Sequence, residues 1–278
     1  MHLNHSSSDD DDSSEDEAEA AVRQRLASGG SGVVPGLSDE ALFKLCGGAR
    51  LGMRARANQD GKQRRMEEAI RFVTGGNPIC ERCGLPLGHT LAEPICAACW
   101  MDPPPLATIR ACLHYNDVSR KLILAFKHGD GLQLTPFLTS LMARDFAMMT
   151  DGEDSLVVPV PLHRQRYFRR RYNQSAELAR RLCRITARGS LATDILVRHR
   201  ATASQGGLSR RQRHRNIAGA FSVRQDGRTR LAGRPVVLVD DVMTTGATLF
   251  TAAKCLSAAG SGPVSALVVA RVARPREP

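Results

Sequence analysis

Val236-Val-Leu-Val-Asp-Asp-Val-Met-Thr-Thr-Gly-Ala-Thr248 is the stretch that decides the fold. Four apolar residues, Val236–Val239, read as a strand buried on both faces. Two adjacent carboxylates, Asp240 and Asp241, stand at its carboxyl end. A short Thr/Gly loop then opens a helix over residues 247–259. In open α/β sheets ligands bind at this end of the strands. Gly246 lets the backbone wrap closely. Backbone N–H groups at the helix start, with the hydroxyls of Thr244, Thr245 and Thr248, suit a phosphate dianion. Two carboxylates would repel that phosphate. They make sense as acceptors for a diol, such as the 2′- and 3′-hydroxyls of a ribose. A Walker B strand also reads as apolar residues followed by acids, but it needs a G-x-x-x-x-G-K-[ST] loop elsewhere. Only Lys62 follows a Gly, and Arg56 occupies the position of the required first Gly.

Outward from this segment, strand and helix patterns alternate. Strands are expected over 108–115, 156–160, 195–197 and 264–269. Helices are expected over 117–127, 131–149 and 174–186, with Leu178 and Leu182 on one face of the last. Residues 199–218 read as a polar, Arg-rich loop. Apolar strands alternating with helices predict an α/β fold with a parallel, doubly covered sheet.

Ahead of the sheet, Cys80-Glu-Arg-Cys83 and Cys96-Ala-Ala-Cys99 form two C-x2-C knuckles separated by twelve residues. Each tight turn brings two thiolates to one ion, and two turns complete a tetrahedral S4 shell of the kind structural zinc prefers. A full shell leaves no open coordination position, so the expected role is structural. Gly84 falls where a turn beneath a metal often needs positive φ. His89 lies between the pairs, where it could serve as a ligand, but the surface is its expected place. Cys46, Cys112, Cys183 and Cys255 are isolated and read as small core residues. Pro103-Pro104-Pro105 reads as a stiff linker and a boundary. The organisation expected is therefore an acidic tail over 1–34 without a fold of its own, a helical extension over 35–76, a zinc ribbon over 77–102 and the sheet domain over 106–275.

Net charge is +11, unevenly placed. Residues 1–20 hold eight acids and no Lys or Arg, whereas residues 160–234 hold nineteen Arg, no Lys and three acids (Glu177, Asp194, Asp226). Such density implies an anionic partner, either phosphates on a small molecule or a nucleic-acid backbone; a merely solvated basic surface is the plain alternative. Tyr167, Phe168 and Tyr172 are the aromatics near this cluster on which single-stranded bases would stack. No apolar run approaches the ~18 residues of a membrane span, and the acidic start is no secretory signal, so the cytoplasm is the expected compartment.

The stretch 236–248 closely resembles the signature of the type I phosphoribosyltransferases. That resemblance implies that Asp240 and Asp241 meet the ribose hydroxyls of phosphoribosyl diphosphate (PRPP), bound with Mg²⁺, and carry the catalytic role. It implies that Thr244, Thr245, Gly246, Ala247 and Thr248 hold the 5-phosphate. Val157-Val-Pro-Val-Pro161 followed by His163 to Gln174 resembles the pyrophosphate loop. Arg198, Ala201-Thr-Ala-Ser-Gln205 and Arg215-Asn216-Ile-Ala-Gly-Ala-Phe221 resemble the flexible catalytic loop. Arg171, Asn173, Gln174, Gln205 and Arg215 are the loop residues so implied. In order, zinc ribbon, proline linker, V-P-V-P-L, R-Y-N-Q, T-A-S-Q, R-x-x-N and V-D-D-V-M-T-T-G-A-T resemble the ComF family of competence-associated, phosphoribosyltransferase-like proteins over about residues 78–275. The family usually reads R-G-F-N-Q in the first loop; here Arg171 stands in place of that Gly. The family association is with DNA uptake and transformation, which adds single-stranded DNA and DNA-processing proteins to the expected partners. A phosphoribosyl transfer to an unknown acceptor, a non-catalytic DNA- or partner-binding role, and a PRPP-sensing regulator all remain open at this level.

Overall fold

The computed structural model describes residues 78–88, 92–115, 117–127, 131–151, 154–164, 172–200, 212, 215 and 217–272. The expected tail and helical extension, together with Cys46, His89, Tyr167, Phe168, Arg171 and Gln205, lie outside the described residues. The elements are α1 (Ala97–Met101), β1 (Ile109–His114), α2 (Asp117–Lys127), a 3-10 turn (Gly131–Leu134), α3 (Thr135–Met149), β2 (Leu156–Pro159), α4 (Gln174–Thr186), β3 (Ser190–Leu191), β4 (Leu196–Arg198), β5 (Phe221–Val223), α5 (Gln225–Leu231), β6 (Val236–Met243), α6 (Ala247–Ala258) and β7 (Val264–Arg271).

Five strands form one sheet in the order β1-β7-β6-β2-β3, and every pairing is parallel. Alternation along the strands feeds two cores. Leu156, Val158, Val236, Leu238, Ala266 and Val268 face Leu249, Ala253 and Leu256 of α6. Val157, Val237, Val239, Leu267 and Val269 face Phe137, Met142 and Phe146 of α3 and Leu178 and Leu182 of α4. Burial on both faces is why these strands read as continuous apolar runs. The chain leaves β2 toward β3 at one edge and leaves β6 toward β7 in the opposite direction, so the β2/β6 boundary is the topological switch point. In open α/β sheets the ligand crevice lies at such a point, at the carboxyl ends of the strands.

Three expectations need correcting. The strand begun at Val236 does not stop at Val239 but runs to Met243, so Asp240 and Asp241 are strand residues, paired with β7 from Val236↔Val264 through Met243↔Arg271. Carboxylates are poor strand formers by propensity; the β7 ladder overrides that preference. The strand at 195–197 does not join the parallel sheet: Leu196–Arg198 pairs antiparallel with Phe221–Val223 in a separate ribbon. The helix over 131–149 starts as a 3-10 turn, and Pro136 then opens α3 at a position where a missing N–H costs nothing.

The cysteine module packs against the sheet domain. Cys80, Cys83, Cys96 and Cys99 share a buried cluster with Leu106, Ile109 and the α6 residues. Thr108 Oγ1 and Arg110 Nη1 each donate to the Glu81 carbonyl at 2.8 Å. Gly84 sits at φ +64 with the Ile109 carbonyl 2.8 Å from where a Cβ would stand, so both backbone conformation and space require glycine there.

Candidate functional site

Four segments meet at this end of the sheet: β6, the loop that follows it, the segment ahead of α4, and the end of α2. From β6 come Asp240 and Asp241. Asp240 Oδ1 accepts from Ser175 Oγ at 2.9 Å and from the Asp241 backbone N–H at 2.9 Å. Asp241, 9 % exposed, is paired through Oδ2 with Lys127 Nζ at 3.1 Å. Desolvation, and then the neighbouring Asp241 carboxylate, push the Asp240 carboxyl up to about 7, against the opposing pull of its hydrogen bonds and Lys127. A pair of carboxylates held this way is poised to accept hydrogen bonds from hydroxyl groups or to meet a cation.

The loop after β6 carries Thr244 exposed, Thr245 and Thr248 half-buried, and Gly246 and Ala247 buried. Gly246 takes φ +82 and stands at the N-cap of α6. A Cβ there would lie 2.6 Å from the Phe250 ring. The Ala247 N–H donates to Thr245 Oγ1 at 3.4 Å. The loop therefore wraps tightly around the positive end of a twelve-residue helix, beside the two carboxylates.

The segment ahead of α4 closes the third side. Asn173 is the N-cap: its Oδ1 accepts from the Ser175 N–H at 3.2 Å, while its Nδ2 donates to the Val160 carbonyl at 3.1 Å. Gln174 is 1 % exposed and donates to the Lys127 carbonyl at 3.4 Å. Tyr172 is half-buried, and its hydroxyl donates to the Phe126 carbonyl at 2.7 Å. These three residues stitch the end of β2 and the end of α2 to the start of α4. Through them Ser175 and Lys127 reach the acidic pair. Arg215 is exposed, and its carbonyl accepts from Arg200 at 3.5 Å. Arg198 is buried in β4, with its guanidinium 5.6 Å from the centre of the Phe221 ring.

Ser175 and Lys127 are the site residues that reading the sequence missed. Ser175 directly follows the R-Y-N-Q segment, and its hydroxyl at N2 of a helix is the available signal. Lys127 ends a helix 114 positions before Asp241 and offers none.

In the metal candidate, the four Sγ atoms lie within 4.8 Å of one another. Cys83 Sγ and Cys96 Sγ are 3.7 Å apart. A tetrahedron with metal–sulfur bonds of about 2.3 Å has edges of about 3.8 Å, so the cage fits a zinc-sized ion. The Cys96 N–H donates to Cys80 Sγ at 3.3 Å, a knuckle bond that favours the thiolate. Burial pushes Cys83 up to about 11 and Cys99 higher still, whereas in Cys80 burial is outweighed by backbone N–H groups, that of Cys96 foremost, which bring the thiol down to about 7. A divalent ion reverses that effect of burial. Of the isolated cysteines, Cys112 is buried, while Cys183 and Cys255 are half-buried.

No family model matches the chain. It is 32 % identical over 197 residues to the DNA utilization protein YhgH of Escherichia coli K12, an alignment covering 69 % of this chain and 84 % of that protein. It is 30 % identical over 201 residues to competence protein F of Haemophilus influenzae, covering 70 % of this chain and 85 % of the relative. Among solved structures, the allosteric regulatory enzyme of purine biosynthesis aligns with 54 % of this chain and 30 % of its own, at 19 % identity and a TM-score of 0.35, a likeness too slight to bear on function. No helix among the described residues is long and apolar enough to cross a membrane.

Proposed function

The chain belongs to the ComF family of competence-associated proteins, and on that footing we propose that it binds PRPP at the carboxyl ends of β2 and β6 and transfers its phosphoribose to an acceptor in a process of DNA use. The observation that carries this reading is the succession of Asp240 and Asp241 by the Gly246-centred loop, at the switch point of a parallel sheet. Asp240 and Asp241 accept hydrogen bonds from the ribose hydroxyls. The loop Thr244, Thr245, Gly246, Ala247 and Thr248 takes the 5-phosphate on its N–H and hydroxyl groups. Lys127 stands beside the acidic pair as a cation for the anionic ligand. Through the resemblance, Arg171, Gln205 and Arg215 are the residues that would meet the diphosphate, while Asn173 and Gln174 anchor the start of α4.

The chemistry is a displacement at C1 of the ribose. The bond from C1 to the diphosphate oxygen breaks, and diphosphate leaves with the electron pair. The acceptor lone pair forms the new bond to C1, and the acceptor gives up its proton. Mg²⁺, suited to carboxylate and phosphate oxygens, neutralises the diphosphate when bound. The protein supplies orientation and fixed charge. The four cysteines hold a structural zinc ion apart from this chemistry.

Calorimetric titration of PRPP with Mg²⁺ into the protein and into the D240N/D241N variant tests the reading. Binding by the unaltered chain that the variant loses supports it. Absence of binding by the unaltered chain overturns it and moves the weight to the second reading.

That second reading is single-stranded DNA binding, favoured by the nineteen arginines of residues 160–234 and by the DNA-related names of the relatives. Affinity would fall steeply with salt, and the D240N/D241N variant would retain it. PRPP binding without diphosphate release in the presence of any purine, pyrimidine or amine acceptor would instead mark a PRPP-sensing regulator.

A further inference from the structure

α2 ends on a turn that it does not hold by itself. The last carbonyls of a helix have no N–H of their own helix to accept from. Here two of them are taken by side chains from elsewhere in the chain. Tyr172 donates its hydroxyl to the Phe126 carbonyl at 2.7 Å, across 46 positions. Gln174 donates Nε2 to the Lys127 carbonyl at 3.4 Å, across 47. The first distance is that of a full O–H···O bond, whereas the second lies at the weak limit. Tyr172 is therefore the stronger hold. The Phe126 ring is buried and seats the same turn in the core that holds Ile123 and Phe137.

The residue that follows Phe126 carries the cation. Lys127 Nζ stands 3.1 Å from Asp241 Oδ2. A lysine side chain gives up much rotamer freedom to keep one such contact, and the last turn of a helix is where the backbone beneath it frays. A fixed carbonyl at Phe126 takes away the backbone share of that freedom. Residues 172–175 then serve both carboxylates. Asn173 caps α4, and Ser175 Oγ donates to Asp240 Oδ1 at 2.9 Å. Tyr172 reaches Asp241 at one remove, through the end of α2. The usual reading of this loop, R-G-F-N-Q, has Phe where this chain has Tyr172, and a Phe has no hydroxyl to give.

We propose that Tyr172 is a positioning residue whose hydroxyl, by holding the Phe126 carbonyl at the end of α2, sets Lys127 on Asp241. It acts through Lys127 and is not a catalytic residue. Its consequence for PRPP affinity rests on the proposed function; the placement of Lys127 does not.

The test compares full-length wild type, Y172F, K127M and Y172F/K127M. The first readout is the ¹H–¹³C correlation of the lysine ε-methylenes in protein labelled at lysine. An ε-methylene held in one geometry resonates away from the position that freely moving lysines share. The chain has five lysines, Lys44, Lys62, Lys121, Lys127 and Lys254, so the Lys127 signal is assigned by its absence from K127M. Lys121 lies on the same helix and Lys254 on α6, and both are exposed, so they report any change that is not local. The second readout is PRPP affinity with Mg²⁺ by calorimetry.

In Y172F the Lys127 signal is expected to move toward that of the exposed lysines, while Lys121 and Lys254 keep their positions. PRPP affinity is expected to fall about three- to tenfold, the worth of one hydrogen bond. In the K127M background the same exchange should cost less than about twofold, because residues that act through one contact are not additive. An unmoved Lys127 signal in Y172F overturns the proposal. Movement of all three signals overturns it too, since the hydroxyl would then be a general prop of the fold. So does an equal affinity loss in both backgrounds, which would give Tyr172 a route to the ligand that bypasses Lys127. Wild type that does not bind PRPP sinks the proposed function instead, and the Lys127 signal alone then decides the role of Tyr172. Phe keeps the ring and its packing; if Y172F does not accumulate as folded protein, Y172L, also without the hydroxyl, takes its place.

Discussion

Lys127 Nζ lies 3.1 Å from Asp241 Oδ2, joining the end of α2 to the acidic pair of β6. Both side chains are largely shielded from water, at 21 % and 12 % exposure, so this pair is worth more than a surface ion pair. Removing the cation leaves two adjacent carboxylates without it. K127M is expected to lower stability by about 1–3 kcal/mol at pH 8. Thermal denaturation of the variant beside wild type checks this. The same variant should weaken PRPP binding, because the lost charge faces an anionic ligand.

Asp240 carries an electrostatic load of the opposite kind. Its carboxyl is raised from 3.8 to about 7 in the folded chain, so ionising it opposes folding. The penalty is absent below the unfolded value, grows as pH rises through the window between the two values, and is complete above about 7. D240N removes it while keeping an acceptor for Ser175. The variant should be more stable than wild type by on the order of 1–2 kcal/mol at pH 8, with the gain vanishing near pH 4. A melting curve of D240N that shows no gain at pH 8 contradicts this account. Greater stability with lost ligand binding is the signature of a site that gives up stability for function.

Gly246 is required twice over, by φ +82 and by the Phe250 ring 2.6 Å from where a Cβ would stand. G246A is expected to cost about 1–3 kcal/mol and to displace the loop from phosphate-binding geometry. Denaturant titration measures the first effect and PRPP calorimetry the second. The double variant G246A/F250A should recover part of the stability, since it removes the clash, but not that part due to backbone strain.

The cysteine cage is buried in the same core as Ile109 and Leu249, so its metal should stabilise more than the knuckles themselves. C83S is expected to abolish stoichiometric zinc and to lower the melting temperature of the whole chain, as a chelator should for wild type. Elemental analysis alongside thermal denaturation reports both. An unchanged melting temperature on chelation would show that the module does not contribute to the core.

Much of this was legible from local pattern. Val236–Val239 announce a strand covered on both faces because no polar residue interrupts them. Two C-x2-C knuckles announce a tetrathiolate cage because each turn constrains its own pair of sulfurs. Gly246 announces a tight loop because the helix behind it begins at once. In each case the physics is local, and spacing carries the information. The short β3 and β5 and the helix α5 escaped because two or three residues show no period, and Gly227 and the arginines of α5 hide its helical face.

What only the tertiary structure decided is which distant residues meet. Ser175 reaches Asp240 across 65 positions, and Lys127 reaches Asp241 from another helix. Tertiary pairing with β7 also drew Asp240 and Asp241 into β6, against their own propensity. Arg271 reads in sequence as one more basic residue at the end of an apolar strand; only folding shows it buried. Periodicity and spacing record what a residue does with its near neighbours. Electrostatic partnership depends on proximity in space, which the strand order β1-β7-β6-β2-β3 creates and no single segment contains.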